Sequence, residues 1–290
     1  MKLRVPPMKL LLSLALALAA VSSAPAQQGG SFTSPVGLQL YSLRSQFALR
    51  GVPWTLDRVK EFGITEVELA GTYNLSAAQF RKELDARGLK AVSSHFPYSR
   101  YKVDLDAVVT EAKALGLQYA GCAWIDHVGD FDETEARDAV KVFNRAGEAL
   151  AKAGITFFYH CHGYEFQPHG DGTLFDLLMK ETRPGHVSYQ MDILWVVFPG
   201  QDPAKLMEKY PDRWKLMHLK DLKKGVATGA LTGHTDVKND VALGTGQMNW
   251  PSIFSAAQKI GIKHYFIEDE SPTSMEQIPN SIAFLKNLKW

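Results

Sequence analysis

The 290-residue sequence is short of cysteine, of net charge and of long apolar runs. Cys122 and Cys161 are the only two cysteines, so no disulfide framework holds the fold. Lysine and arginine total 32 against 31 aspartate and glutamate, a formal charge of +1. A chain this near neutrality has no basic excess for a nucleic-acid partner. The most apolar stretch, Leu10 to Ala20, is too short to span a bilayer comfortably, which takes about 20 residues. No glycine-rich phosphate loop follows the first strand-like run. Leu243-Gly244-Thr245-Gly246 lacks the Gly-Lys-Ser/Thr ending of a P-loop.

The beginning of the chain reads as an export signal over residues 1–26. Lys2, Arg4 and Lys9 form a basic start, the apolar stretch follows, and Ala24-Pro25-Ala26 places small residues where a signal peptidase cuts. The expected mature protein is periplasmic or secreted, with no stable membrane insertion. Losing those three cations takes the formal charge from +1 to −2. Gln27 would follow the cut rather than cysteine, which argues against a lipid anchor. Residues 27–35 read as a flexible polar lead-in. Residues 36–290 are expected to form one domain, close to the roughly 250 residues of a (β/α)8 barrel.

Within that domain, apolar strand-like runs alternate with amphipathic helical patterns. The strands are expected at Val36 to Tyr41, Thr65 to Leu69, Leu89 to His95, Gln118 to Trp124, Ile155 to His162, Val187 to Asp192, Trp214 to Leu219 and Lys263 to Glu268. Gly63, Gly88, Gly116, Gly154 and Gly261 recur just before strands, as helix C-caps do. Eight strands alternating with eight helices imply a parallel sheet, here an α/β single (β/α)8 TIM barrel rather than a doubly wound sheet. Lys223 to Met248 is a long Gly/Thr-rich loop without periodicity, which in a compact domain reads as a lid or as disorder.

The chemistry is concentrated where strands turn polar at their C-terminal ends. Phe157 to Phe166 begins as a buried strand and ends in His160, His162 and Glu165. Later runs end in Asp192, in His218 with Lys220 and in Glu268. In a barrel those ends build the active site. Each residue alone has a structural reading: a hydrogen-bonded histidine, a helix-capping aspartate, a solvated lysine. Their coincidence at four consecutive strand ends points to one divalent cation. Mixed imidazole and carboxylate donors suit Mn²⁺, Mg²⁺, Co²⁺ or Zn²⁺. Glu68 and His95 end strands 2 and 3 and are candidates for substrate contacts, with pairing to Arg44 as the alternative. Tyr41, Trp124, Trp195 and Trp250 are candidates for stacking on a substrate ring, or are core.

His160-Cys161-His162-Gly163-Tyr164-Glu165-Phe166, Asp192, His218-Leu219-Lys220-Asp221, Leu243-Gly244-Thr245-Gly246 with Asn249-Trp250, and Phe266-Ile267-Glu268 resemble the sugar phosphate isomerase/epimerase family of the xylose isomerase-like barrels. So does the opening Gly37-Leu38-Gln39-Leu40-Tyr41-Ser42-Leu43-Arg44. The resemblance implies one divalent metal ion, most often Mn²⁺, held by two glutamates, one aspartate and one histidine. Asp192, His218 and Glu268 match the last three positions. Glu165 is the expected first ligand, with His160 the alternative. Many relatives carry Glu-Asn-His where this chain has His160-Cys161-His162.

The expected activity is isomerisation or epimerisation of an unphosphorylated sugar or keto-sugar through an enediolate that the cation stabilises. Glu165, Glu268, His160, His162 and Lys220 are the expected catalytic set. Glu68, His95, Trp124 and Trp250 are the expected substrate contacts. A dehydratase or lyase of keto-sugars, keto-glycosides or inososes would use the same site, and a non-catalytic sugar-binding protein is the third reading. Such barrels often pair, so a homodimer is compatible with the sequence.

Overall fold

The computed structural model describes residues 1–3 and 30–290. All but the first three residues of the expected export signal lie outside the described residues. Eight parallel strands close into a barrel: β1 (Val36–Gln39), β2 (Glu66–Leu69), β3 (Lys90–His95), β4 (Tyr119–Cys122), β5 (Thr156–His160), β6 (Val187–Asp192), β7 (Trp214–Leu219) and β8 (His264–Ile267). Every strand pairs with its chain neighbour, and β1 closes on β8 through Gly37 opposite Phe266. The barrel is the expected one, with six of the eight strands one to three residues shorter than read and the other two unchanged.

Helices surround it: α1 (Arg44–Glu61), α2 (Ala77–Asp85), α3 (Tyr98–Val103), α4 (Leu105–Leu115), α5 (Glu133–Lys152), α6 (Leu174–Glu181), α7 (Ile193–Val197), α8 (Pro203–Lys209), α9 (Trp250–Ile260) and α10 (Ser274–Asn287). Ser76 opens α2 and Asp132 opens α5, each in a reciprocal capping box with the residue three positions on. The five glycines read as helix stops all adopt positive φ, between 67° and 80°. α1 begins earlier than its pattern suggests. Gly51 (φ 77°, ψ 174°) breaks it, so only the part after Pro53 shows a clean amphipathic repeat.

Strand alternation sorts side chains into two cores. Val92, Phe158, Leu216 and Phe266 fill the barrel interior. A Cβ on Gly121 would lie 2.3 Å from the Phe158 ring, and one on Gly37 2.5 Å from Phe266. The small residues on β4 and β1 therefore leave room for the two rings. Outward-facing residues such as Tyr159, Val187 and Trp214 belong to the larger core under the helices. Both cysteines are free and buried.

The described part of the lead-in is anchored rather than loose. Ser31 bridges to Lys289, Trp290 donates to the Gly30 carbonyl at 3.0 Å, and Phe32 packs edge-on against Phe254 and Tyr265. Its aromatic residue gives it a partner that its polar composition hides. Among the described residues no helix is long and apolar enough to cross a membrane.

Candidate active site

The same alternation that sends Phe158, Leu216 and Phe266 into the barrel sends His160, His218 and Glu268 inward two residues later, one layer higher. Gln190 and Asp192 do the same on β6. Register places His160 beside Gln190 and Asp192 beside His218. His160 and Glu268 line a cavity of about 580 Å³ at the C-terminal mouth of the barrel, and Gln190, Asp192 and His218 are fully buried next to them.

His218 Nδ1 lies 3.5 Å from Asp192 Oδ2 and 3.1 Å from Glu268 Oε2. His160 Nε2 lies 3.9 Å from Asp192 Oδ2. Asp192 Oδ2 and His218 Nδ1 are buried and have no hydrogen-bond partner. Leaving such groups unsatisfied costs roughly 1–3 kcal/mol each, more when charged. The donor atoms of Asp192, His218 and Glu268 lie within 4.8 Å of one another, closely enough to hold one metal ion, and those of His95, His160 and His218 form a second such group. Two imidazoles and two carboxylates suit Zn²⁺, Co²⁺ or Mn²⁺. The donor set therefore fits a divalent cation, with Asp192, His218 and Glu268 as its holders and His160, beside Asp192, as the fourth donor within reach. Asp192 also caps α7, since its Oδ1 accepts from Trp195 N at 2.9 Å. The helix-cap reading and the ligand reading are both served, one by each oxygen.

Glu165 does not join them. Its carboxylate accepts from Tyr159 Oη, from Gly163 N at 2.7 Å and from His162 N at 2.9 Å. Tyr159 faces outward, packed on Phe143 of α5. The strand ends at His160, Gly163 turns the chain at φ 96°, and the Tyr164–Phe166 turn brings Glu165 back against the outer wall. The expected first ligand and acid–base residue is thus a turn-forming carboxylate, and His160 is the β5 side chain that approaches Asp192.

Glu68 is likewise not a substrate contact. It is fully buried beneath the cavity, with its oxygens taken by Gln39, Ser93, Gln190 and His218. His95 does line the cavity and sits 3.1 Å from Gln190 Oε1. Neither pairs with Arg44, which donates to the Tyr41 and Glu270 carbonyls. Trp124, Trp195 and Tyr41 form aromatic cavity wall. Trp250 does not: it is buried at the start of α9, stacked on Phe254, and its Nε1 donates to Asp221 Oδ2 at 3.2 Å.

His162 stands half-buried between Trp195, on which it stacks, and the edge-on Trp124. Its Nδ1 has no partner. Burial, with the nearby Lys220 cation, pushes its pKa down to about 3. His160 is held well below the usual imidazole range by burial and by the positive charge of neighbouring histidines. His218 goes the other way: burial opposes its charge, but Glu68 and Glu268 outweigh it. Glu268 is held well below the usual carboxylate range, against burial, by Lys220 and His218.

Lys220 is buried over the Trp195 ring, 3.3 Å from Glu268, 2.5 Å from Glu270 and 3.9 Å from Asp240. Burial lowers its pKa, but these carboxylates raise it well above the lysine norm. The cluster therefore holds more carboxylates than cations, a balance that a divalent cation would redress.

The long loop crosses the mouth. Gly233, His234, Thr235, Asp236, Val237 and Asp240 line the cavity, and His234 packs against Trp124. Asp221 fastens the loop's return. Its carboxylate accepts from Gly244 N at 2.8 Å, Gly246 N at 3.1 Å and Met248 N at 3.2 Å. A Cβ on Gly246 would fall 2.1 Å from Asp221 Oδ1. The Gly244 and Gly246 amides are thus spent on the chain's own carboxylate, while Leu243 N donates to Ser281 Oγ and Thr245 N to the Ala242 carbonyl, which leaves none of the four free for a phosphate. Gln190, Gln39, Asp240 and Glu270 were not expected in the cluster. Gln190 was findable, because it lies two residues before Asp192 on the same strand face.

The sequence profile of the xylose isomerase-like TIM barrel matches residues 56–288. An inosose dehydratase of Geobacillus thermodenitrificans is 25% identical over 259 residues, covering 74% of this chain and 86% of its own length. The crystal structure of a sugar phosphate isomerase/epimerase from Parabacteroides distasonis superposes with a TM-score of 0.72 at 27% identity, over 92% of this chain and 99% of that one. The IolI protein, solved with a zinc atom, superposes with a TM-score of 0.68 at 13% identity, over 87% and 95%.

Proposed function

The chain belongs to the xylose isomerase-like TIM barrel family, and from that premise we propose that it is an enzyme acting on an unphosphorylated sugar or keto-sugar. The reaction begins with removal of the proton beside the carbonyl. The observation that carries this reading is the orphaned pair Asp192 Oδ2 and His218 Nδ1, facing Glu268 and His160 at the cavity base. A divalent cation there would polarise the carbonyl and make the neighbouring C–H acidic.

The chain's own groups take the other roles. Lys220 stays charged and stabilises the oxyanion that develops on the substrate. His162 lines the cavity with an unpartnered Nδ1 and is the group assigned to accept the proton. Trp124 and Trp195 line the cavity wall around the substrate, Trp195 carrying His162 and Lys220 against its ring and Trp124 carrying His127 and His234. Among the described residues no arginine lines the cavity, and its single lysine is already paired with carboxylates. That favours a substrate without phosphate. The donor set carries one more nitrogen than the expected two glutamates, aspartate and histidine. It tilts the cation from Mn²⁺ toward Zn²⁺ or Co²⁺.

Of the two outcomes, elimination fits better. β5 brings no second carboxylate to the cavity, since Glu165 faces outward. His162 takes the α-proton, the C–O bond on the next carbon breaks, and the protonated imidazole returns its proton to the leaving oxygen. Water or an alcohol departs and a conjugated ketone remains. Similarity to inosose dehydratases over three quarters of the chain supports this carbon–oxygen lyase reading. The second reading, isomerase or epimerase, pairs His162 with Glu268 on opposite faces of the substrate. The similarity to the Parabacteroides distasonis protein favours it.

Incubating cation-loaded protein with inososes, keto-sugars and keto-glycosides in deuterium oxide separates them. Elimination gives an ultraviolet-absorbing product. Isomerisation or epimerisation gives carbon-bound deuterium without one. Absence of both across the panel refutes the enzyme reading.

A further inference from the structure

Glu68 lies below the cavity floor, yet it reaches both imidazoles assigned to the cation. Its Oε1 accepts from Gln39 Nε2 at 2.7 Å and from His218 Nε2. Its Oε2 accepts from Ser93 Oγ and from Gln190 Nε2 at 2.8 Å. An ionised carboxylate can only accept hydrogen bonds. His218 must therefore carry a proton on Nε2. Its other nitrogen, Nδ1, is the unpartnered one facing Asp192 and Glu268.

The same logic runs through Gln190. Its amide nitrogen must turn to Glu68, so its Oε1 faces His160 Nδ1 at 3.0 Å and His95 Nε2 at 3.1 Å. An amide oxygen only accepts, so His160 carries its proton on Nδ1 and turns the lone pair of Nε2 toward Asp192 Oδ2. One carboxylate thus governs two rings on two strands. Glu68 is itself held by Gln39 and Ser93 from the neighbouring strands β1 and β3, beside which it lies in register.

We infer that Glu68 is a positioning residue that sets the tautomers of both imidazole ligands, His218 directly and His160 through Gln190. The inference rests on the cation reading of the site. Outer partners of this kind orient metal-binding imidazoles and raise their basicity, and removing one typically costs 10- to 100-fold in metal affinity.

The test is Zn²⁺ affinity, by competition with a chromophoric chelator, together with long-range proton–nitrogen NMR of the imidazoles in Zn²⁺-saturated protein. Wild type is compared with Glu68→Gln and Gln190→Leu. Wild type should bind one Zn²⁺ with protons at His218 Nε2 and His160 Nδ1. Glu68→Gln should lower affinity by about 10- to 100-fold and broaden both imidazole proton signals through exchange. Gln190→Leu should lower affinity less and disturb the His160 signal alone. It also carries the test if Glu68→Gln does not fold. Unchanged affinity and unchanged imidazole signals in the folded variants overturn the role of Glu68 alone. A wild type that binds no Zn²⁺ overturns the cation reading with it.

Discussion

Replacing Glu165 with glutamine separates a ligand from a turn-former. The carboxylate is fully buried and accepts from Tyr159 Oη and from the backbone N–H groups of His162 and Gly163. Glutamine offers one acceptor oxygen, and its NH₂ would face one of those donors. A hydrogen bond to a charged group contributes about 1.5–3 kcal/mol, and a stranded buried donor costs a comparable amount. The substitution should therefore cost about 2–4 kcal/mol. At about 2–4 °C per kcal/mol for a domain of this size, Tm falls by roughly 5–15 °C. Cation content should stay at wild-type level, because no oxygen of Glu165 reaches the His160, Asp192, His218 and Glu268 cluster. Thermal unfolding by circular dichroism and metal analysis on the same sample read both effects. A Glu165→Gln protein with unchanged Tm that has lost its cation would refute the assignment.

Four further outcomes are expected, the first three from the same geometry. Cation binding should release about one proton per chain at pH 7. Burial opposes a charged His218, but Glu68 and Glu268 keep it protonated above the usual imidazole range, and the cation needs Nδ1. Calorimetry in buffers of different ionisation enthalpy measures this. In the sign of stability, the raised pKa of His218 supports the metal-free fold fully below the unfolded value of about 6.5 and loses that support as pH rises through the folded value. Metal-free protein should therefore lose Tm on the alkaline side, whereas loaded protein should not. Asp221→Asn should cost about 1.5–3 kcal/mol through its contacts with Gly244, Gly246, Met248 and Trp250, and should open residues 223–248 to protease cleavage at concentrations that spare the wild type. The export reading predicts that protein recovered from its native cell begins at Gln27, and N-terminal sequencing finding Met1 would contradict it.

The barrel was legible because buried parallel strands read as apolar runs, and because glycine at helix ends marks where each run begins. Asp192, His218 and Glu268 were legible for the same reason: period-two alternation carries the inward face of a strand to its polar end. Glu165 was not. Alternation stops at His160, and the direction of a side chain beyond that depends on the φ of Gly163, which sequence spacing does not state. Glu68 was misplaced in depth rather than in direction. It points inward as expected but lies beneath the cavity, where four side chains use up its oxygens. Trp250 looked like a sugar platform, but its indole N–H is spent on Asp221, a contact between positions 29 apart that no local pattern reveals.

The central claim is a single cation held by His160, Asp192, His218 and Glu268. Metal per chain and dissociation constants for Zn²⁺ and Mn²⁺, on wild type beside His160→Ala, Asp192→Asn, His218→Ala and Glu268→Gln, test it most directly. We predict one ion per wild-type chain and a weakening of at least tenfold in each variant. Wild type without a cation after loading, or His160→Ala and Asp192→Asn proteins that bind as tightly as wild type, would contradict it.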